Sequence, residues 1–417
     1  MLRLSQRGAL LHEVYQAMEQ LLRLMKDNPG DNWLLKLLDE LWEVYRDVLE
    51  RRYLAPRGVS AGRHITRNEG ILYNLIQNFS EDTFLNHFRM HRSSFWMLVE
   101  IVTTRWPVDV PLLHPYPIYQ QLAVALYVLG SAGGGGLEHA RVTMNISKGS
   151  VETYLWRSIE VLSKLLPTYV WWPLEEERSA AREARSLSEV HGEIDEVFRD
   201  CVGFLDGSII VLREKPQLDP EAYFSRKKEY GINLQAVCDW NRRFIFASMG
   251  HTAATHDSTA FKNSDLYIRR ATYFKSHEYL LADKAYALER HVIVPFKDPY
   301  ARLPAHAAFK RVKIEHAFGL LKARFLSLRN LPVRIGINIV EGHQRVAMWV
   351  STCLVLHNFL HAMTNEEDWL YEEQNIQVNE QGNAVEQDNL EETIAAEAKA
   401  GKNRRQELVN RVADLNV

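Results

Sequence analysis

Three carboxylates stand where a chain of this kind would place chemistry. Asp206 interrupts an apolar run, Val202-Gly203-Phe204-Leu205-Asp206-Gly207-Ser208-Ile209-Ile210-Val211-Leu212. Such a run reads as a buried strand, and an uncompensated buried carboxylate is costly, so Asp206 needs a partner. Asp283 closes a second, shorter run, Tyr279-Leu280-Leu281-Ala282, and is presented at the C-terminal tip of that strand. Glu315 is the single acid between Tyr300 and Asn330, a stretch that holds seven Lys or Arg. Brought together, three carboxylates can hold two divalent cations about 3.5–4 Å apart, a clamp for the attacking and leaving oxygens of a phosphodiester.

The elements that must position these acids follow from periodicity. Ile314, Phe318, Leu321, Phe325 and Leu328 recur in alternating steps of four and three, so they form the apolar stripe of a helix. Arg311, Glu315, Gly319 and Lys322 lie on an adjacent face. Glycine in a helix interior costs about 1 kcal/mol relative to alanine, which suggests a close approach at Gly319. The plainer alternative is a solvated basic face with an Arg311–Glu315 pair. Two more strands are expected from Asn233 to Asp239 and from Phe244 to Met249, joined by a turn at Asp239-Trp240-Asn241. Three strands, a helix, a strand and a helix, with acids on the first strand, after the fourth and on the later helix, is the arrangement of an RNase H-like nuclease core. The expected fold class is α+β.

At these residues the chain resembles the Harbinger (PIF-type) DDE transposases and the nucleases domesticated from them. The matching stretches are Gly203-Phe204-Leu205-Asp206-Gly207-Ser208, Tyr223-Phe224-Ser225-Arg226-Lys227-Lys228 through Asn233-Leu234-Gln235-Ala236-Val237, and His256-Asp257-Ser258. Leu281-Ala282-Asp283-Lys284-Ala285-Tyr286, Glu315-His316-Ala317-Phe318-Gly319-Leu320-Leu321-Lys322-Ala323-Arg324-Phe325 and Leu356-His357-Asn358-Phe359 follow in the family's order. The resemblance implies a catalytic triad of Asp206, Asp283 and Glu315 that also binds two Mg²⁺ or Mn²⁺ ions, and cleavage, with joining a further option, of DNA phosphodiesters. Hard cations suit an all-carboxylate site. The resemblance also implies double-stranded DNA as substrate, a Myb-like partner protein, a homo-oligomer, and a nuclear location with a cytoplasmic pool. A domesticated DNA-binding or scaffold protein that keeps the fold without turnover is the alternative.

The rest of the chain fits this reading. Its 417 residues suggest two or three domains, and 46% apolar content is ample for packed cores. No run reaches the ~18 apolar residues of a membrane helix, and no membrane partner is expected. Cys201, Cys238 and Cys353 show no CxxC spacing and read as core residues of a reducing compartment. Net charge is −3, but residues 365–417 carry −8, which leaves the body mildly basic. The basic residues gather at Arg226-Lys227-Lys228 and around Glu315.

Five regions are expected: a helical extension over 1–58, a helical domain over 67–173, a helical connector over 174–200, the catalytic core over 201–361, and an acidic, largely disordered tail over 365–417 with a short helix from Leu390 to Ala400. In the extension a broad apolar stripe from Leu34 to Leu49 is expected to pack within its own domain, with a partner surface as the alternative. Within the second region, residues 137–165 match a helix-turn-helix with Ser147 as N-cap. Its second helix would offer Lys148, Ser150, Glu152, Thr153 and Arg157 to a major groove, against the alternative of an ordinary helical hairpin. Lys227, Lys228, Arg311 and Lys322 are candidate phosphate contacts of the core. Asp257 precedes a helical stretch from Thr259 to Arg270, so it is read as a cap, with metal binding as the alternative. His357 and His361, spaced i and i+4, are read as core histidines, no third zinc ligand being apparent.

Overall fold

The computed structural model describes residues 6–27, 32–50, 70–106, 117–132, 136–186, 197–296, 312–363 and 391–414. The chain divides into two compact units, Met1–Thr66 and Arg67–Val417. In the first, α1 (Gln6–Asp27) and α2 (Asn32–Glu50) pack on each other. Val14, Met18 and Leu21 of α1 and Leu34 and Val48 of α2 are buried, whereas Trp33, Leu35 and Trp42 stay exposed. The apolar stripe of α2 is therefore only partly covered within its own unit.

The second unit begins with helices α3 (Gly70–Gln77), α4 (Glu81–Phe88) and α5 (Arg92–Thr103). The apolar periodicity from Phe84 to Arg105 runs through a break: Arg89 takes φ 61° and closes α4 with its N–H on the Leu85 carbonyl. Then come α6 (Ile118–Gly130), α7 (Gly136–Thr143) and α8 (Lys148–Ser163). Asn145, at φ 53°, turns the chain between α7 and α8, and Ser147 Oγ accepts from the Ser150 N–H at 3.0 Å. A short α9 (Leu166–Tyr169) and α10 (Glu175–Ser186) lead toward the sheet.

The sheet has five strands in the order β3-β2-β1-β4-β5. They are β1 (Cys201–Val211), β2 (Gly231–Cys238), β3 (Phe244–Thr252), β4 (Tyr279–Ala282) and β5 (Val292–Ile293). β1, β2 and β3 are antiparallel, while β4 and β5 run parallel to β1. This mixed order is consistent with the RNase H-like core expected from the strand sequence. Between β3 and β4 the anticipated single helix is three short ones, α11 (Asp257–Lys262), α12 (Asp265–Ile268) and α13 (Arg270–Tyr273). Ser264 makes the break by capping α12 through the Tyr267 N–H.

Side-chain alternation gives the sheet two differently clothed faces. On the front, Phe204, Ile210, Tyr279 and Leu281 pack with Ile314, Ala317, Phe318 and Leu321 of α14 (Val312–Arg324) and with α15 (Ile339–His361). On the back, Leu205, Leu280 and Ala282 pack with Phe261, Leu266 and Val294. The stripe read from the sequence is core: Ile314, Phe318, Leu321, Phe325 and Leu328 are all buried. So are Cys201, Cys238 and Cys353, all three free thiols.

The helical and sheet parts share one core. α8 packs against both α6 and α15, and Thr352 Oγ1 of α15 donates to the Ile159 carbonyl. Trp172 Nε1 donates to the Tyr273 carbonyl at 3.0 Å, and Asn358 joins the two parts by donating to the Tyr169 and Phe244 carbonyls while accepting the Phe244 N–H. At the far edge, α16 (Glu391–Asp414) covers β5. The helix expected to stop near Ala400 continues because Leu408 and Val409 are buried and Arg405 lies 4.0 Å from the centre of the Phe296 ring. Gly401 permits this docking, since a Cβ there would stand 2.7 Å from the Glu289 carbonyl oxygen.

Candidate active site

The parallel register of β1 and β4 decides where the first two acids go. Leu205 pairs with Ala282, so Asp206 and Asp283 are the next residues along two neighbouring strands, whose spacing is about 4.8 Å. Leu205 and Ala282 face the back core, and alternation therefore turns Asp206 and Asp283 to the front, beneath α14. Asp206 Oδ1 accepts the Gly207 N–H at 2.9 Å, and Asp283 Oδ1 accepts that of Lys284. Both side chains are half-buried.

Glu315 sits on α14, which packs across β1. Lys322 anchors this helix: its Nζ donates to Ser208 Oγ at 2.7 Å and to the Ile209 carbonyl at 3.1 Å. Leu331, just beyond α14, hydrogen-bonds to the Val211 carbonyl, so the helix runs in the same sense as β1. Glu315 lies about 10 Å upstream of Lys322 along the helix, toward the Asp206 end of the strand. Glu315 is exposed, as is Gly319 one turn on, where a Cβ would meet nothing within 4 Å. The approach that Gly319 allows is thus not made by any of the described residues.

Among the described residues, no group of three or more His, Cys, Asp or Glu side chains is gathered closely enough to hold a metal ion. The donor chemistry fits Mg²⁺ or Mn²⁺ at the Asp206–Asp283 pair, which offers hard oxygens side by side. The third carboxylate stands on the covering helix without joining that pair into a three-ligand cluster.

Asp257 does not belong to the metal set. Its Oδ1 accepts from Asn233 Nδ2 and Gln235 Nε2, each at 2.9 Å, on the far side of β1 from Asp206. It is also not a cap: the N-cap of α11 is His256, and Asp257 occupies the first turn. Gly207, which pairs with Gln235, explains the fit, because a Cβ there would lie 2.2 Å from Asp257 Oδ1. The metal alternative for Asp257 fails because strand alternation puts it behind the sheet.

The cationic candidates separate as well. Lys227 and Lys228 are exposed at a turn in which Lys228 takes φ 64°. Lys148 is exposed at the start of α8, and Arg157, further along, is half-buried with its Nη1 buried and without a hydrogen-bond partner among the described residues. Arg311 lies outside the described residues. His357 and His361 reach the Arg242 and Asn241 carbonyls of the β2–β3 turn, as core histidines do. Burial, aided by the nearby Arg324 charge, pushes the His357 pKa down to about 3.

A cavity at the opposite end of β1 is a different kind of place. It is lined by Arg178, Arg182, Asp200, Arg243 and Glu278. Arg178 binds Glu278 through two hydrogen bonds of 2.8 Å. Burial would raise the Glu278 pKa, but these bonds and the Lys275 N–H hold it below the usual carboxylate range. This is an ion-pair joint between α10 and β4.

Sequence reasoning missed the polar residues behind β1. The signal was present: Asn233 and Gln235 are amides spaced by two inside an otherwise apolar strand, and both are buried.

Residues 205–358, which take in every one of these positions from Asp206 to Asn358, match the DDE superfamily endonuclease family. Over 349 residues the chain is also 20% identical to Protein ALP1-like of Arabidopsis thaliana, a match covering 75% of this chain and 81% of that protein. No solved structure matches the chain.

Proposed function

We propose that the protein is a metal-dependent DNA endonuclease of the Harbinger transposase type, with Asp206, Asp283 and Glu315 as its catalytic carboxylates. The observation that carries this is the parallel register, which sets Asp206 and Asp283 side by side on the face that the Glu315 helix covers. Divalent Mg²⁺ or Mn²⁺ ions would supply charge stabilisation at the phosphate and an activated attacking oxygen. The chain's own part is to offer the carboxylate oxygens and to hold α14 to β1 through Lys322. Gly319 leaves that face open to a DNA backbone. Lys227 and Lys228 bind flanking phosphates, and the N-terminal end of α8, with Lys148, Ser150, Glu152 and Thr153, enters a major groove as the second helix of a helix-turn-helix. A Myb-like partner protein, a homo-oligomer and a nuclear site of action complete this reading.

The test is cleavage of labelled duplex DNA in Mg²⁺ or Mn²⁺ by the wild type and by Glu315→Gln. Metal-dependent nicking that vanishes in the variant supports the nuclease. A second reading, a DNA-binding scaffold without turnover, is favoured by one observation, the lack of a three-carboxylate cluster among the described residues. Duplex binding that falls steeply with salt, with both proteins inert even beside a Myb-like partner, would establish the scaffold instead.

A further inference from the structure

Four residues from three separate stretches of the chain meet behind β1. Tyr286, at the end of the Asp283 turn, donates its hydroxyl to Gln235 Oε1 at 2.7 Å. Gln235 Nε2 donates to Asn233 Oδ1 at 2.8 Å and to Asp257 Oδ1 at 2.9 Å. Asn233 Nδ2 in turn reaches Asp257 Oδ1 and the Thr255 carbonyl. Asn233 and Gln235 are 1% exposed and Tyr286 5%, so the network runs through the interior and ends at the half-buried Asp257.

One end reaches the backbone of Asp283 and the other abuts Gly207, the neighbour of Asp206. The Tyr286 N–H closes the turn on the Asp283 carbonyl at 3.0 Å, so a hydroxyl fixed to β2 also fixes the backbone that presents Asp283. At the other end the Asp257 carboxylate fills the space that a side chain at Gly207, next to Asp206, would need. Buried polar groups in a low-dielectric interior are costly unless mutually satisfied, and when satisfied they specify one geometry. Apolar side chains could fill this volume at lower cost; what the amides, hydroxyl and carboxylate add is directional constraint.

We infer that Asp257, Asn233, Gln235 and Tyr286 form a clamp that holds Asp206 and Asp283 at metal-binding spacing, which makes Asp257 and Tyr286 positioning residues. The inference rests on the nuclease reading for what the two aspartates bind.

Full-length wild type, Asp283→Asn, Tyr286→Phe, Asp257→Asn and Gly207→Ala would each be titrated with Mn²⁺ in a calorimeter, with a thermal melt of the same sample. Asp283→Asn should abolish Mn²⁺ binding. Tyr286→Phe, which removes one oxygen and keeps the ring, should weaken it by about 10–100-fold at a temperature where the protein is fully folded, the usual cost of losing an outer-shell partner. Gly207→Ala, which deletes no polar group, should act in the same direction. A network that only supports the core would lower the melting temperature of Tyr286→Phe and leave Mn²⁺ affinity as in the wild type, and that result overturns the clamp. If the wild type binds no Mn²⁺, or Asp283→Asn binds it equally well, the nuclease reading falls and the clamp falls with it.

Discussion

The two faces of β1 carry carboxylates for opposite purposes. On the front, Asp206, in the middle of β1, and Asp283, at the end of β4, stand side by side next to a helix on which Glu315 and Gly319 are exposed. On the back, Asp257 is enclosed by two side-chain amides and abuts a glycine. Residue type does not distinguish them, since all are aspartates within the same domain. What differs is the surroundings: the back carboxylate accepts from two side-chain amides, and the front pair stands half-buried on the face that α14 covers. On the proposed nuclease reading, chemistry belongs on the front and rigidity on the back.

The largest effect that would break this contrast comes from exchanging one carboxylate on each face for its amide. Asp206→Asn should lower metal-dependent cleavage by more than about 100-fold, beyond the range typical of an outer-shell partner. Asp257→Asn should stay within that range. Equal losses from the two, measured as initial cleavage rates at saturating Mn²⁺, would mean the faces are not functionally distinct.

Next in size is Gly207→Ala, which changes no front-face side chain but forces the back face to move. The new methyl would overlap the Asp257 carboxylate, and overpacking of this kind costs about 1–3 kcal/mol. Urea unfolding should show the loss. Combining it with Asp257→Ala should recover part of it, because the two groups compete for one space, and strict additivity would deny the contact.

A third measurement probes the front face through its own buried base. Burial, then the charge of Arg324, holds His357 neutral with its pKa pushed down from 6.5 to about 3. The unfolded chain therefore takes up this proton first as pH falls. The stability contributed by the neutral ring is complete above pH 6.5 and declines toward pH 3, by ~1.4 kcal/mol per pH unit within that window. The difference in unfolding free energy between the wild type and His357→Gln should shrink along this slope between pH 6.5 and 5. A difference independent of pH would place the ring in a wetter setting.

Much of the front face was legible from the chain because its signals are local. Asp206 and Asp283 each end or interrupt a run of strand-forming residues, and Ile314 to Leu328 repeat at helical spacing. The back face was not legible, because Asp257 acquires its role only through the β1–β2 register, and Asn233 lies 24 residues away from it. The break at Arg89 rests on a left-handed residue that its sequence context does not announce. The two-residue β5 is too short to show a period, and the full length of α16 depends on a sheet edge for Leu408 and Val409 to cover. Arg157 was assigned outward by motif and is half-buried, on a helix that packs against both α6 and α15.

The smallest expected effect separates the faces most cleanly. A Cβ added at Gly319 meets nothing within 4 Å, so Gly319→Ala should stabilise α14 by up to about 1 kcal/mol through helix propensity and reduced freedom of the unfolded chain. Nothing among the described residues asks for glycine there. If the front face receives a DNA backbone, the same methyl should lower cleavage or duplex affinity while unfolding shifts to higher denaturant. Greater stability with weaker function in one variant would tie the glycine to an external ligand. Greater stability with unchanged function would leave the face around Glu315 as solvated helix surface, and would shift the weight of the contrast to the Asp206–Asp283 pair alone.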